Sequence, residues 1–177
     1  MKPLIAKLLN AGSRPLNLLG AAACSLLFGY ALFAEHVQGY EPCPLCILQR
    51  VAVIGLGLAF LLAALHHPAG RFRHTYSALC GAIGLAGGGV AARHLWIQAQ
   101  PEGSVPPCGA SFDFILDNFG IVTAVREALT ASGECAEVDW SLFGLAMPAW
   151  VLLAFLALTA WAVWTNSFAR QRPAPLA

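Results

Sequence analysis

Four long apolar segments constrain the fold of this 177-residue chain more than any other feature. A bilayer core about 30 Å thick needs roughly 17 to 25 predominantly apolar residues in a spanning helix. Four segments approach or reach that length, at about 18–34, 45–65, 76–96 and 145–164. Because only 11% of the residues are charged, the sequence predicts an all-α membrane protein, a four-transmembrane-helix bundle forming one integral membrane domain over 1–177.

The charges predict how this bundle is oriented, because short positively charged segments stay on the cytoplasmic side of a membrane. Seven of the ten basic residues lie on one side of the predicted spans: Lys2, Lys7, Arg14, Arg71, Arg73, Arg170 and Arg172. All nine acidic residues fall in the linkers on the other side, about 35–46 and 97–144. We therefore expect both termini to be cytoplasmic and both of these linkers to be periplasmic, in a bacterial inner membrane.

A cleaved signal peptide is the alternative interpretation of the first span, since a basic arm precedes it. The apolar run is longer than a typical signal sequence and has no clean cleavage site near Ala34. Cleavage would leave the orientation of the later spans unchanged.

Six cysteines divide into two groups. Cys24 and Cys80 lie inside predicted spans, where a thiol behaves as a small apolar side chain. The other four lie in the two outer linkers, two in each: Cys43, Cys46, Cys108 and Cys135. Disulfides persist in the periplasm, and of three possible connectivities the simplest joins the two cysteines within each linker. If both linkers lie at one membrane surface, thiolates of one pair can attack the disulfide of the other.

Two other interpretations of these cysteines stay open. Zinc sites commonly use a C-x-x-C pair, but they usually draw a second closely spaced pair, which Cys108 and Cys135 do not form. We therefore predict no metal, with an outer-face metal-binding or transport protein as the alternative function. The other possibility is a scaffold with inert structural disulfides.

Polar residues near the predicted outer surface suggest a partner for the C-x-x-C pair. Arg50 follows Cys46 by one helical turn, and a cation there favours the thiolate form of a cysteine. Snorkelling of Arg50 to the headgroups is the alternative. His94 and Gln98 share a face at the outer end of the third span. With Arg50 they can hydrogen-bond the two oxygens of a flat, lipid-soluble molecule, although a lone histidine there is more often structural.

These residues stand in motifs that resemble the bacterial disulfide-bond formation protein B (DsbB) family of quinone-dependent thiol oxidases. The motifs are PCPLCILQR at the second span, ARHLWIQ at the end of the third, then VPPCGASFDF, SGECAEVDW and FGLAMPAW. The likeness covers most of the chain. It implies an enzyme that reoxidises a periplasmic DsbA-like thioredoxin-fold oxidase and passes the electrons to the membrane quinone pool, either ubiquinone or menaquinone.

The resemblance also implies roles for individual residues. Cys108 and Cys135 correspond to the pair that faces the partner protein, with Cys108 the sulfur that is attacked. Cys43 and Cys46 correspond to the pair next to the quinone. The quinone-binding positions of the family match Arg50, His94 and Gln98.

Between Cys108 and Cys135, the apolar and polar residues alternate loosely in a run too short and too polar to span a membrane. We expect one or two short helices there, lying at the membrane interface, with ordinary loop packing as the alternative. No nucleic-acid-binding patch is present, because the basic residues at the cytoplasmic ends are topology signals.

Overall fold

The structure is a computed structural model that describes residues 12–66, 68, 70–101, 112–130, 133–136 and 140–168. Within this part of the chain, four helices are long and apolar enough to cross a membrane. They are α1 (Ser13–His36), α2 (Pro44–His66), α3 (Arg71–Gln98) and α6 (Met147–Ser167). The prediction of an all-α, multi-pass membrane fold is confirmed. Each predicted apolar segment overlaps one of these helices, and the first and third helices begin five residues earlier than predicted.

The four long helices form a closed bundle. Along the chain, α1 packs against α2 and α2 against α3, while α3 packs extensively against α6, which also contacts α1. Two glycines permit the close approach of α3 to α6, because a Cβ atom on Gly84 or Gly87 would collide with Thr159 or Phe155. Many large apolar side chains, such as Leu26 and Leu85, remain exposed on the outer faces of the bundle, as a lipid environment requires.

The segment between α3 and α6 contains short elements at one end of the bundle. Helices α4 (Phe112–Phe119) and α5 (Ile121–Thr130) come first, followed by a 3-10 turn (Gly133–Ala136). A hairpin of β1 (Ser141–Leu142) and β2 (Leu145–Ala146) then leads directly into α6. Its two turn residues, Phe143 and Gly144, both have positive φ, as a tight two-residue hairpin requires. The predicted short helices are therefore present.

The two ends of the bundle differ in their polar residues. The end at which α2 begins and α3 ends holds the described linker cysteines, and we call it the cysteine end. At the opposite end, the side chains of Asn17 and Asn166 join α1 to α6 through two hydrogen bonds of 3.0 and 3.1 Å. We call this the asparagine end.

Candidate functional site

The start of α2 places both cysteines of the C-x-x-C motif at the helix terminus. Cys43 precedes the helix, and Pro44 occupies the first helical position, where its missing N–H costs nothing. The Cys43 carbonyl accepts the Ile47 N–H at 3.1 Å, and its sulfur accepts the Cys46 N–H at 3.3 Å. The two sulfurs are 2.7 Å apart. The local sequence thus builds a helix cap in which the two sulfurs are neighbours.

A third cysteine reaches the same place from the distant linker. Cys135 lies in the 3-10 turn, is 1% exposed, and packs with Cys43, Leu45 and Ile97. Its sulfur is hydrogen-bonded to Cys43. Cys108 lies outside the described residues. Three of the four predicted redox cysteines are therefore in one cluster, and all the described cysteines are free thiols.

His94 completes this cluster from α3. Its side chain is 3% exposed, and Nε2 lies 3.9 Å from the Cys43 sulfur. The same ring is hydrogen-bonded to Cys46. Its other nitrogen, Nδ1, is 3.3 Å from the amide nitrogen of Gln49, which is itself buried. We call the group of Cys43, Cys46, Cys135 and His94 the cysteine site.

The hydrogen bonds among the sulfurs shift the pKa values of Cys43 and Cys135, the two described cysteines that lie outside the spanning helices. The hydrogen bond with Cys135, followed by that with Cys46 and by burial, raises the pKa of Cys43. The hydrogen bond from Cys43 lowers the pKa of Cys135 despite the burial of that sulfur, with help from the Leu45 N–H. Of these two sulfurs, Cys135 is thus the one prepared to act as a thiolate nucleophile.

Arg50 lies near the cysteine site but makes its own contacts. Its guanidinium forms an ion pair with Glu35 at the end of α1 and donates to the Ala31 carbonyl at 3.2 Å. The sequence suggested Arg50 as the cation that holds Cys46 as a thiolate, whereas the ring that touches the sulfurs in the structure is His94. Arg50 also lines an apolar cavity beside the cysteine site.

An apolar cavity of about 310 Å³ opens beside the cysteine site, between α1, α2 and α6. Most of its wall consists of apolar side chains from these helices, including Leu27, Val53 and Phe155. Its polar lining includes both sulfurs of the C-x-x-C motif and the three residues named as quinone-binding candidates: Arg50, His94 and Gln98. A pocket of this size, apolar with a few convergent polar groups, is typical of a small-molecule site.

Two tryptophans that follow Cys135 also border the cavity, Trp140 before the hairpin and Trp150 in α6. The indole N–H of Trp150 donates to the Leu142 carbonyl at 3.3 Å, which ties the hairpin to the first turn of α6. Trp140 and the start of α6 therefore form one wall of the cavity, and the hairpin is bonded to that wall.

Sequence reasoning missed two residues of this region, Glu35 and Gln49. In the sequence, Glu35 stands out only as one of the acidic residues in the outer linkers. An acidic residue at the end of one span and an arginine near the start of the next nevertheless lie at similar depth, and here they form an ion pair. Gln49 is a polar amide near the start of a mostly apolar span, which is a signal in itself because a polar group inside a span needs a partner.

Comparison with known proteins identifies close relatives along nearly the whole described chain. A family described as "Disulfide bond formation protein DsbB" matches residues 13–165. A protein named disulfide bond formation protein B from Methylobacillus flagellatus is 46% identical, covering 82% of this chain and 87% of its own length. Proteins of the same name from Nitrosococcus oceani and Methylococcus capsulatus are 44% and 41% identical, covering 82% and 88% of this chain and 86% and 96% of their own lengths.

Proposed function

The chain belongs to the DsbB family of disulfide bond formation proteins, and we propose that it is a thiol:quinone oxidoreductase that reoxidises a periplasmic DsbA-like dithiol oxidase. The observation that carries this proposal is the convergence of Cys43, Cys46 and Cys135 beside an apolar cavity. Sulfurs from two distant linkers are then in position for disulfide exchange, and a lipid-soluble oxidant has a place to bind next to them.

The residues around the cavity fit a quinone. The apolar walls suit a flat ring and an isoprenoid chain, and they are formed mainly by helices that we place in the bilayer. Arg50 has more N–H donors than its contacts with Glu35 and Ala31 use, so it can also bind a carbonyl oxygen. His94 and Gln98 line the same space from α3. When bound, ubiquinone or menaquinone supplies the two-electron acceptor that returns the Cys43–Cys46 dithiol to a disulfide.

The cysteines carry out the exchange steps. A thiolate of the reduced partner attacks Cys108 in a Cys108–Cys135 disulfide, forms a mixed disulfide and releases Cys135 as a thiolate. Cys135 then attacks Cys43 in the Cys43–Cys46 disulfide, so that a Cys43–Cys135 bond forms and Cys46 leaves as a thiolate. The contact of Cys135 with Cys43 supports this second step. The order of these two steps follows the family resemblance. The partner's second thiolate then displaces Cys108 from the mixed disulfide, so that the partner leaves oxidised. The Cys108 thiolate attacks Cys135, which restores the Cys108–Cys135 bond and releases Cys43 beside Cys46 as a dithiol.

His94 and the helix terminus stabilise the sulfur that leaves. Cys46 lies in the first turn of α2, where unpaired backbone N–H groups favour negative charge. Its hydrogen bond with His94 adds a donor on the other side. Cys46 also lines the cavity, so the released thiolate faces the space assigned to the quinone.

The charge distribution supports a specific orientation for this chemistry. We infer that the chain is a single inner-membrane domain with both termini in the cytoplasm, because seven of the ten basic residues precede or begin α1, begin α3 or follow α6 in the sequence. The cysteine end then faces the periplasm, where a soluble thioredoxin-fold partner can reach Cys108. Electrons pass from that partner to the quinone pool of the bilayer.

Turnover by the purified protein tests the proposal. We expect oxidation of a reduced DsbA-like protein that depends on added ubiquinone or menaquinone, and no turnover with either quinone would contradict it. Cys46→Ser should stop electron flow to quinone, whereas Cys108→Ser should block reaction with the partner. Cys80→Ser is the matched control, since Cys80 is buried in the bundle core and should be dispensable.

A further inference from the structure

The cysteine site also has the composition of a metal site. Within the described residues, Cys43, Cys46 and His94 form a group whose ligand atoms all lie within 4.8 Å of one another. The sulfur of Cys135 is hydrogen-bonded to Cys43 and is buried beside it. We propose that the reduced form of the protein binds one Zn²⁺ ion through Cys43, Cys46 and His94, with Cys135 as the fourth ligand.

The positions of the donor atoms suit a tetrahedral ion. Zinc binds sulfur at about 2.3 Å and imidazole nitrogen at about 2.0 Å, which places neighbouring ligand atoms roughly 3.5 to 3.8 Å apart. The distance from the Cys43 sulfur to His94 Nε2 is already 3.9 Å. The two sulfurs of the C-x-x-C motif, 2.7 Å apart, must separate by about 1 Å, which rotation about their side-chain bonds can supply.

The surroundings support both kinds of ligand. A zinc-bound histidine normally donates its second ring N–H to a fixed acceptor, and the Gln49 side chain lies 3.3 Å from His94 Nδ1. A flip of that amide presents its oxygen to Nδ1–H and leaves the Nε2 lone pair directed at the sulfurs. The Cys46 N–H bonded to the Cys43 sulfur stabilises negative charge there, as in zinc sites built on a C-x-x-C turn.

The spacing of the cysteines in the sequence argued against zinc because it offers no second closely spaced pair. The fold supplies the missing ligands from two other places, His94 at the end of α3 and Cys135 in the distant linker. Because binding uses thiolates, the oxidised protein has no such site, and the metal competes with the disulfide. Zinc bound to the reduced site would hold it reduced and stop turnover until a chelator removed the ion.

Metal titration of the full-length reduced protein tests the proposal without relying on turnover. The protein is reduced in detergent under anaerobic conditions and titrated with Zn²⁺ against a chromophoric chelator. We expect one ion per chain for the reduced protein and none for the oxidised one. Titration with Co²⁺ should give the absorption of a tetrahedral, thiolate-ligated ion.

Variants identify the ligands. His94→Ala should weaken zinc binding at least tenfold, and the double variant Cys24→Ser/Cys80→Ser should bind like the unaltered protein, because both residues lie in the bundle core. Mapping of alkylated cysteines should show that Zn²⁺ protects Cys43 and Cys46 and that a chelator reverses the protection. This mapping needs no variant, so misfolding of His94→Ala leaves the test intact.

Three results would overturn the proposal. The first is an unchanged affinity for Zn²⁺ in a folded His94→Ala variant, which would reduce the site to a simple dithiol. The second is equal zinc binding by the oxidised protein. The third is the absence of stoichiometric zinc binding. Because the readout is bound metal, these results are independent of whether the protein reduces quinone.

Discussion

Polar residues gather at both ends of this bundle, but their surroundings differ. At the asparagine end they bond to one another and to backbone carbonyls: Asn17 pairs with Asn166, Arg73 donates to the Asn166 carbonyl, and Arg14 donates to the Ala64 carbonyl. At the cysteine end, the sulfurs, His94 and Arg50 line a cavity of about 310 Å³. The first arrangement joins helices, whereas the second leaves reactive groups facing a cavity. The position of a polar residue along a span therefore does not indicate its function. The groups that surround the residue do.

The largest difference between the two ends is expected from matched arginine substitutions. Arg50→Met should lower kcat/KM for quinone roughly hundredfold per folded protein, because it removes a cation from the cavity. Arg14→Met removes an arginine from the asparagine end and should leave kcat/KM nearly unchanged, while Lys2 and Lys7 preserve the basic arm. Steady-state kinetics with varied quinone measures both.

Arg50→Met removes the cation from the cavity and also removes the ion-pair partner of Glu35, and these two effects must be separated. The double variant Arg50→Met/Glu35→Gln leaves no uncompensated charge at the end of α1, so it should recover stability without recovering activity. Recovery of activity would show that Arg50 serves only to neutralise Glu35.

The asparagine pair should affect stability and leave catalysis intact. Asn17→Ala removes both hydrogen bonds between the side chains of Asn17 and Asn166. It should lower the free energy of unfolding by about 1 to 2 kcal/mol, because the buried Asn166 amide loses its partner on α1. The double variant Asn17→Ala/Asn166→Ala should lose less than the sum of the two single losses. Reversible unfolding in mixed detergent measures these values, and quinone turnover per folded molecule should stay at the level of the unaltered protein.

Gln49 should have a smaller effect, confined to the cysteine end. Gln49→Ala removes the hydrogen bond to His94 Nδ1 and should lower turnover roughly fivefold, the equivalent of about 1 kcal/mol. It should also shift the pH profile of turnover, because the imidazole loses a fixed neighbour, whereas Gln49→Glu keeps a neighbour at Nδ1 and should restore much of the rate. A rate loss without any change in the pH profile would assign Gln49 a packing role alone.

The smallest expected effect is a shift in the titration of Cys135. Its pKa lies below the ordinary value of 9.0 in the reduced protein because Cys43 donates a hydrogen bond to it. Ionisation of Cys135 therefore adds to the free energy of unfolding of the reduced protein. This contribution is present above about pH 9 and is lost as the pH falls through the lowered pKa. Thiolate absorbance, taken as the difference from Cys135→Ser, should therefore titrate below pH 9, and Cys43→Ala should move the midpoint upward. Cys80→Ala should leave it in place.

The sequence predicted the helices well, because bilayer thickness fixes the length and composition of a spanning segment. It also placed Arg50, His94 and the cysteines near one surface, since topology alone determines which ends of the spans coincide. It could not predict that His94 contacts the sulfurs while Arg50 pairs with Glu35. Those contacts depend on the rotation and depth of each helix, which close packing at Gly84 and Gly87 helps to set and which no single segment encodes.

The most direct test of the account is a disulfide between the two linkers. Removing Cys108 leaves Cys135 as a lone thiolate beside Cys43, so in oxidised Cys108→Ala the Cys135 thiolate should attack Cys43 in the Cys43–Cys46 disulfide and release Cys46. Peptide mapping of this variant under non-reducing conditions should identify a Cys43–Cys135 bond and a free Cys46. A Cys43–Cys46 bond that persists beside an unreacted Cys135 would contradict the relay between the two pairs.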